Sequence, residues 1–305
     1  MNHKKPRLVS APRTAIMPAM LWKCRDRILE FGRRPLIMGV LNVTPDSFSD
    51  GNKFFDSQRA VDRAFEIAAQ GADIIDIGGE SSRPGAEPVG ADEEIRRVVP
   101  VIKIIAGKIS ALLSVDTTKA SVAEAALQAG AHIVNDITAL SGDAEMIKVL
   151  KKFRAGVVLM HMQGTPQTMQ QNPEYADVVR DVGEFLRVRV ETLADAGVAR
   201  ETIAVDPGIG FGKTVEHNVA LLVGIPKLRE MAKRPLVVGV SRKSFLGKLL
   251  DIPKPEDRLA AGLGGLAFAA MRGAEIFRVH DVKESCDIAC LLAIFREAEE
   301  NAWNG

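Results

Sequence analysis

Residues 36–51, LIMGVLNVTPDSFSDG, pass from an apolar run into a polar loop that carries Asn42, Thr44, Asp46, Ser47, Ser49 and Asp50. A strand buried on both faces reads as a near-continuous apolar run, and the loop that follows such a strand commonly holds function. A segment of helical period comes next, near 57–70. This unit of apolar run, polar loop and helical pattern recurs to the end of the chain. The strand candidates are 36–41, 73–77, 112–115, 132–134, 156–160, 203–205, 236–240 and 276–279. The helical patterns lie near 57–70, 92–106, 119–129, 143–153, 174–196, 215–232, 256–272 and 282–301. Strands alternating with helices imply a parallel sheet, and eight such units imply a closed (β/α)8 TIM barrel of the α/β class rather than an open doubly wound sheet.

No linker rich in Pro, Gly or Ser divides the chain after residue 35, so residues 35–305 are expected to form a single barrel domain, with residues 1–34 as an N-terminal extension. That extension, with Pro6, Pro12 and Pro18, either covers the bottom of the barrel or, over about its first ten residues, is a disordered tail. With 305 residues, 47% of them hydrophobic, the chain can bury a large core. Forty basic against thirty-nine acidic side chains leave almost no net field, and no basic stripe interleaves with aromatics, which argues against a nucleic-acid partner. Cys24, Cys286 and Cys290 offer one i,i+4 pair and no histidine nearby to complete a zinc set; buried thiols in a reducing compartment are expected. The N-terminus lacks the apolar core of a signal peptide and no run approaches membrane-spanning length, so a cytoplasmic protein with no membrane partner is expected.

Active sites of such barrels are built at the C-terminal ends of the strands, and here every strand delivers a polar group to that rim. The first ends at Asn42, followed by Thr44 and Asp46; the second carries Asp76 and runs into GGESSRPG with Glu80, Ser81, Ser82 and Arg83; the third ends in Asp116, the fourth in Asn135 and Asp136, the fifth in His161. The sixth ends in Asp206 before PGIGFGKT, the seventh in SRKS (241–244), and the eighth in Arg278 and His280. Arg278, His280 and glycine-freed amides suit an anion such as phosphate, whereas Asp116, Asn135, Asp206 and Lys243 offer the donors and acceptors that read the edge of a flat heterocycle.

The ordered series MGVLNVTPDSFSDG, GGESSRPG, SVDTTK, NDI, LMHMQGTP, DPGIGFGK, GVSRKSFLG and RVHDVKE resembles the motif series of the dihydropteroate synthase family of folate biosynthesis, over about residues 35 to 285. The resemblance implies a transferase that joins 6-hydroxymethyl-7,8-dihydropterin diphosphate to p-aminobenzoate, releasing diphosphate in an SN1-like step, with Mg2+ on the diphosphate. Carried onto this sequence, it puts the pterin against Asp116, Asn135, Asp206 and Lys243, and the diphosphate against Asn42, Ser82, Arg278 and His280, with Asn42 also on the magnesium. p-Aminobenzoate, or a sulfonamide mimicking it, would lie near Phe48, Pro84, Phe211, Lys243 and Ser244. Asp116, Lys243 and Asp46 would be the catalytic residues. The chain departs from the family pattern at Ser82, where Thr is usual, and at Asn52, where a second Gly is usual; the hydroxyl survives the first change, and Asn tolerates the left-handed backbone of the second. The family also implies a homodimer, and Ile288, Leu291, Leu292 and Phe295 suit either a dimer contact or packing on the barrel.

Other features carry plainer readings. Pro207 stands where a phosphate loop ending in GKT needs its first glycine, which excludes that motif. GLGGLA (262–267) lies inside a helical pattern, where close helix packing is expected rather than dinucleotide binding. Asp76, inside an apolar strand, is expected to support the rim through hydrogen bonds, and Asp136 to cap the next segment. EIRR (94–97) and REAEEN (296–301) read as solvated helix faces, and His161 with its neighbouring methionines as packing rather than a metal site. Two other functions compete: a corrin-dependent methyltransferase on a similar pterin barrel, which would need no diphosphate site, and a pterin-binding protein without turnover.

Overall fold

In the computed structural model, which describes residues 20–44, 53–81 and 85–304, a short hairpin of β1 (Leu21–Cys24) and β2 (Arg27–Glu30) precedes eight parallel strands. These are β3 (Leu36–Asn42), β4 (Ile74–Gly78), β5 (Leu112–Asp116), β6 (Ile133–Asp136), β7 (Gly156–Met160), β8 (Ile203–Asp206), β9 (Val237–Val238) and β10 (Ile276–Val279). They pair in the order β8-β7-β6-β5-β4-β3-β10-β9, and a parallel bridge between Val205 and Leu236 joins the two ends into a barrel. The eight apolar runs are therefore the eight barrel strands.

Side chains alternate across each strand, which sorts the core into two bodies. Ile37, Leu41, Ile75, Ile77, Leu113, Val115, Val134 and Val157 pack outward against the helices. Leu36, Met38, Ile74, Leu112, Ile133, Val158, Ala204, Val237 and Ile276 fill the lower barrel interior together with Trp22 and Cys24 of the hairpin. The hairpin thus plugs the barrel's bottom. The Trp22 indole donates to the Thr202 carbonyl at 2.8 Å, and Arg25, at φ 61° in the turn, donates to the Leu127 and Ala131 carbonyls at 2.7 and 2.6 Å. Gly156 opens β7 because Cys24 Sγ fills its side-chain space: a Cβ there would lie 2.5 Å from the sulfur.

The helices are α1 (Lys53–Ala69), α2 (Ala91–Ile105), α3 (Ala120–Ala129), α4 (Met146–Phe153), α5 (Val178–Asp195), α6 (Val215–Val223), α7 (Ile225–Ala232), α8 (Ser244–Leu250), α9 (Leu259–Met271) and α10 (Val282–Asn304). The pattern expected as one helix over 215–232 is two, broken at Gly224, whose missing Cβ would sit 2.7 Å from Val179, with Pro226 in the first turn of the second. Helix α8 has no counterpart among the expected helices. GLGGLA does lie inside a helix, α9, but its glycines are not forced: Cβ atoms on Gly262 and Gly265 would meet Ser241 and Val240 at ordinary contact distances of 3.6 and 3.5 Å.

Two burial readings are corrected. Glu94 of EIRR is fully buried and pairs with Lys119 at 2.6 Å, and Arg97 donates to the Gly79 carbonyl at 2.8 Å, so this face of α2 holds the β4 loop rather than meeting water. Cys24 and Cys286 are buried, but Cys290 is exposed on α10. On the same helix Leu292 is buried and Ile288 packs on the core, while Leu291 and Phe295 face solvent. Among the described residues no helix is long and apolar enough to cross a membrane.

Candidate active site

The register of the parallel strands places Asn42 beside Gly78, Gly78 beside Asp116 and Asp116 beside Asn135, a row across β3, β4, β5 and β6. Asp76 lies one layer below, Arg278 reaches up from the level of Met38, and Asp206 ends β8, so the inward positions that are apolar at the bottom of the barrel become polar at its top. Arg278 joins them. Its Nε donates to Asp76 Oδ2 and its Nη2 to Asp116 Oδ2, each at 2.7 Å, and Asn135 Nδ2 donates to the same Asp76 oxygen at 2.9 Å. Asp76 therefore supports the rim, as its place in an apolar strand suggests. Its second oxygen, Oδ1, is buried with no hydrogen-bond partner among the described residues.

Asp206 Oδ1 accepts from the Gly208 N–H at 2.7 Å. The loop after it bends through Gly208, Gly210 and Gly212, all at positive φ, and brings the Phe211 ring 4.1 Å beneath the Lys243 ammonium. Lys243 caps α8, and exposed Ser244 is that helix's first residue. His280 meets Ser241 twice, its N–H donating to Oγ at 3.2 Å and its Nδ1 lying 3.2 Å from the same atom. Asp136 turns back on Thr138, accepting from its N–H at 2.7 Å and its hydroxyl at 2.6 Å, which agrees with a local cap.

Burial sets the charges. It raises the Asp116 carboxyl to about 7, with Asp76, Glu94 and Asp136 pushing the same way and Arg278 opposing. Burial likewise raises Asp206, against the Gly208 amide and Lys243. It lowers Lys243 to about 8, helped by Arg278 and opposed by Asp206 and Asp116, and it lowers His280 to about 4, helped by Arg278, Arg242 and Lys243. Arg278 is pulled down by burial yet held above its usual value by Asp76 and Asp116.

The structure thus brings Asn42, Asp116, Asn135, Asp206, Phe211, Lys243, Ser244, Arg278 and His280 to one end of the barrel. Asp46, Phe48, Asn52, Ser82 and Pro84 lie outside the described residues. Lys213 was passed over as the tail of an excluded phosphate-loop pattern. It is buried at this end, with Nζ 3.1 Å from His161 Nδ1 and donating to the Phe211 carbonyl at 2.9 Å; its only sequence signal was its place after DPG. Among the described residues no three His, Cys, Asp or Glu side chains group as a metal cage.

The family model described as "Pterin binding enzyme" matches residues 38–280. The curated dihydropteroate synthase of Synechocystis sp. is 44% identical over 86% of this chain and 90% of its own length, and that of Escherichia coli 43% identical over 88% and 94%. The solved structure of Xanthomonas albilineans dihydropteroate synthase with 4-aminobenzoic acid superposes with a TM-score of 0.84 at 41% identity, covering 92% of this chain and 99% of that one. A second structure of that enzyme, in complex with 7,8-dihydropteroate, gives 0.81 at 39% identity over 90% and 98%.

Proposed function

The chain belongs to the pterin-binding enzyme family, and from that premise we propose that it catalyses the dihydropteroate synthase reaction. 6-Hydroxymethyl-7,8-dihydropterin diphosphate and p-aminobenzoate become 7,8-dihydropteroate and diphosphate. The carrying observation is the single rim on which a buried carboxylate row, two cationic side chains and an exposed helix start face one another. Asp116, Asn135 and Asp206 offer acceptors and donors deep in the barrel for the pterin edge, and the Lys243 ammonium donates to its carbonyl side. Arg278, His280, Asn42 and Ser82 take the diphosphate. Phe211, the stem of Lys243 and Ser244 hold p-aminobenzoate, with Phe48 and Pro84 of the neighbouring loops.

The C–O bond to diphosphate breaks first, in an SN1-like step. The electron pair leaves with the diphosphate, and the pterin methylene becomes a delocalised cation facing Asp116. The arylamine nitrogen then attacks that carbon and loses a proton to water, so positioning rather than a strong base sets the rate. Asp46, which follows β3 in the sequence, would act with Asp116 and Lys243. The residues fit a magnesium ion that travels with the diphosphate. A Cβ on Gly78 would lie 3.8 Å from both Asn42 Oδ1 and Asp116 Oδ2, so the missing side chain leaves room beside these oxygens, and Mg2+ takes few protein ligands, keeping water and substrate phosphate. Asn42 would hold it, and the ion would neutralise charge on the leaving group.

Free Cys24, Cys286 and Cys290 suit a reducing cytoplasm. Exposed Phe268, Met271, Leu291, Ile294 and Phe295 on α9 and α10 suit a homodimer contact. A diphosphate-release assay with both substrates tests the activity; release that does not depend on p-aminobenzoate would leave a pterin-binding protein without transfer.

A further inference from the structure

We infer that Lys213 and His161 form a buried latch that sets the Phe211 loop, making both positioning residues for the arylamine half of the reaction; this rests on the proposed function. Lys213 is 3% exposed and His161 7%, and no carboxylate pairs with the ammonium among the described residues. Its hydrogen-bond partners are dipoles: the Phe211 carbonyl at 2.9 Å, His161 Nδ1 at 3.1 Å and the His161 carbonyl at 3.5 Å; burial lowers the ammonium to about 7, with Lys243 adding to this and the nearby Asp206 charge opposing. A lysine buried this deeply ordinarily bonds to a carboxylate, so it is these dipoles that fix where its Nζ sits. The bond to the Phe211 carbonyl folds the lysine back over its own loop and fixes the peptide that carries the Phe211 ring.

The loop has little other freedom. A Cβ on Gly208 would lie 1.8 Å from the His161 carbonyl oxygen, and one on Gly212 would lie 2.6 Å from that of Gln163, so the loop lies directly on the segment that carries His161. Asn218 Oδ1 accepts from the Gly210 N–H at 2.6 Å, Gln170 Nε2 donates to the Gly210 carbonyl at 2.7 Å, and the Tyr175 hydroxyl to that of Gly212 at 2.8 Å. Each of these fixes a glycine peptide; only Lys213 holds the Phe211 carbonyl among the described residues. The His161 ring is itself clamped edge-on by Phe185 at 4.8 Å. Burial holds that imidazole at about 3, with Lys213 contributing, so it is neutral and its Nδ1 is free to accept. Through Phe211 the latch reaches Lys243 at 4.1 Å, and Lys213, Gly210 and Ser244 share the wall of one cavity of about 550 Å³ at the rim.

The pterin groups are held differently. Asp116 and Asn135 end strands and are tied to Arg278, the first directly and the second through Asp76, while Asp206 is fixed by the Gly208 amide and faces Lys213 only through its charge, so losing the bond to the Phe211 carbonyl leaves them in place. The experiment compares Lys213→Met, His161→Leu and His161→Asn with the wild type, reading KM for p-aminobenzoate and the calorimetric Kd for pterin diphosphate. Lys213→Met and His161→Leu should raise KM roughly tenfold or more and move the pterin Kd less than about threefold. His161→Asn, whose Oδ1 can stand where Nδ1 accepted, should recover most of that loss. If Lys213→Met does not fold, the two His161 variants decide. KM unmoved, KM and pterin Kd shifted together, or Asn no better than Leu would each overturn the latch. A wild type without arylamine-dependent diphosphate release would instead overturn the function on which it rests.

Discussion

Asp116 and Arg278 are already engaged before substrate arrives, and this decides what each can contribute. Asp76, Asp116 and Asp206 against Arg278, Lys243 and the nearby Lys213 are three carboxylates against three cations, so the floor of the site is balanced when all are ionised. Within that balance the Asp116 carboxylate faces the place where the proposed pterin cation would form. Asp116→Asn keeps an acceptor for Arg278 and the shape of the row, so pterin diphosphate should still bind while turnover falls at least ~100-fold. Turnover near wild type would remove Asp116 from the mechanism. The same burial fixes the pH response. In the free protein Asp116 must lose a proton near pH 7, and Lys243 keeps its proton only below about 8. The profile of kcat/KM for pterin diphosphate should therefore rise through about 7 and fall above about 8, a narrow bell. Lys243→Gln should abolish the alkaline fall and leave the acid limb, and a profile of unchanged shape in that variant would exclude Lys243 as its source.

At the scale of elements, what the sequence disclosed follows the strength of its local signals. Asn42, Asp116, Asn135 and Asp206 could be placed at one rim because each ends a run of apolar residues long enough to read as a strand. The β1–β2 hairpin could not. Its strands have four residues each, and its turn uses Arg25 at φ 61° where Gly or Asn would have signalled it. Glu94 was misread for a similar reason: one charged residue in EIRR resembles its neighbours until Lys119, 25 residues away, is known to meet it. The hairpin over residues 21–30, by contrast, covers the barrel bottom, one of the two roles expected for the extension, and this plug has a measurable weight. Trp22 is fully buried among inward strand residues and bonded to Thr202. Trp22→Ala should cost ~3–5 kcal/mol and Trp22→Phe, which keeps most of the ring, nearer ~1–2 kcal/mol. Urea unfolding reads both. Because the hairpin closes the end opposite the candidate site, kcat of folded Trp22→Ala at low denaturant should stay within about twofold of wild type; a large loss would mean that the plug reaches the catalytic end.

Among the described residues the barrel is closed at one end and open at the other, and that asymmetry orders the substrates. Asn135 and Asp206, which would hold the pterin, are 5% and 6% exposed inside the barrel, whereas Ser244, which would hold the arylamine, is exposed at the rim. With the bottom filled by Trp22, Cys24 and the apolar layer, the described structure leaves the rim as the way in. A ring seated between Phe211 and Lys243 lies across that mouth, so p-aminobenzoate bound first would stand in the pterin's path. Bound second, it gains a partner surface, because the pterin and its diphosphate would fill the space below and Lys243 would touch both substrates. The expected order is therefore pterin diphosphate, then p-aminobenzoate. Calorimetric titration of p-aminobenzoate into the free protein should give a Kd at least ~10-fold weaker than titration into protein saturated with diphosphate and a pterin that lacks the leaving group, since about 1.4 kcal/mol of coupling is enough for that ratio. By reciprocity, p-aminobenzoate should tighten the pterin analogue by the same factor. Equal affinity for free and pterin-loaded protein would show that the arylamine site is complete on its own, and the two substrates would then enter the barrel independently.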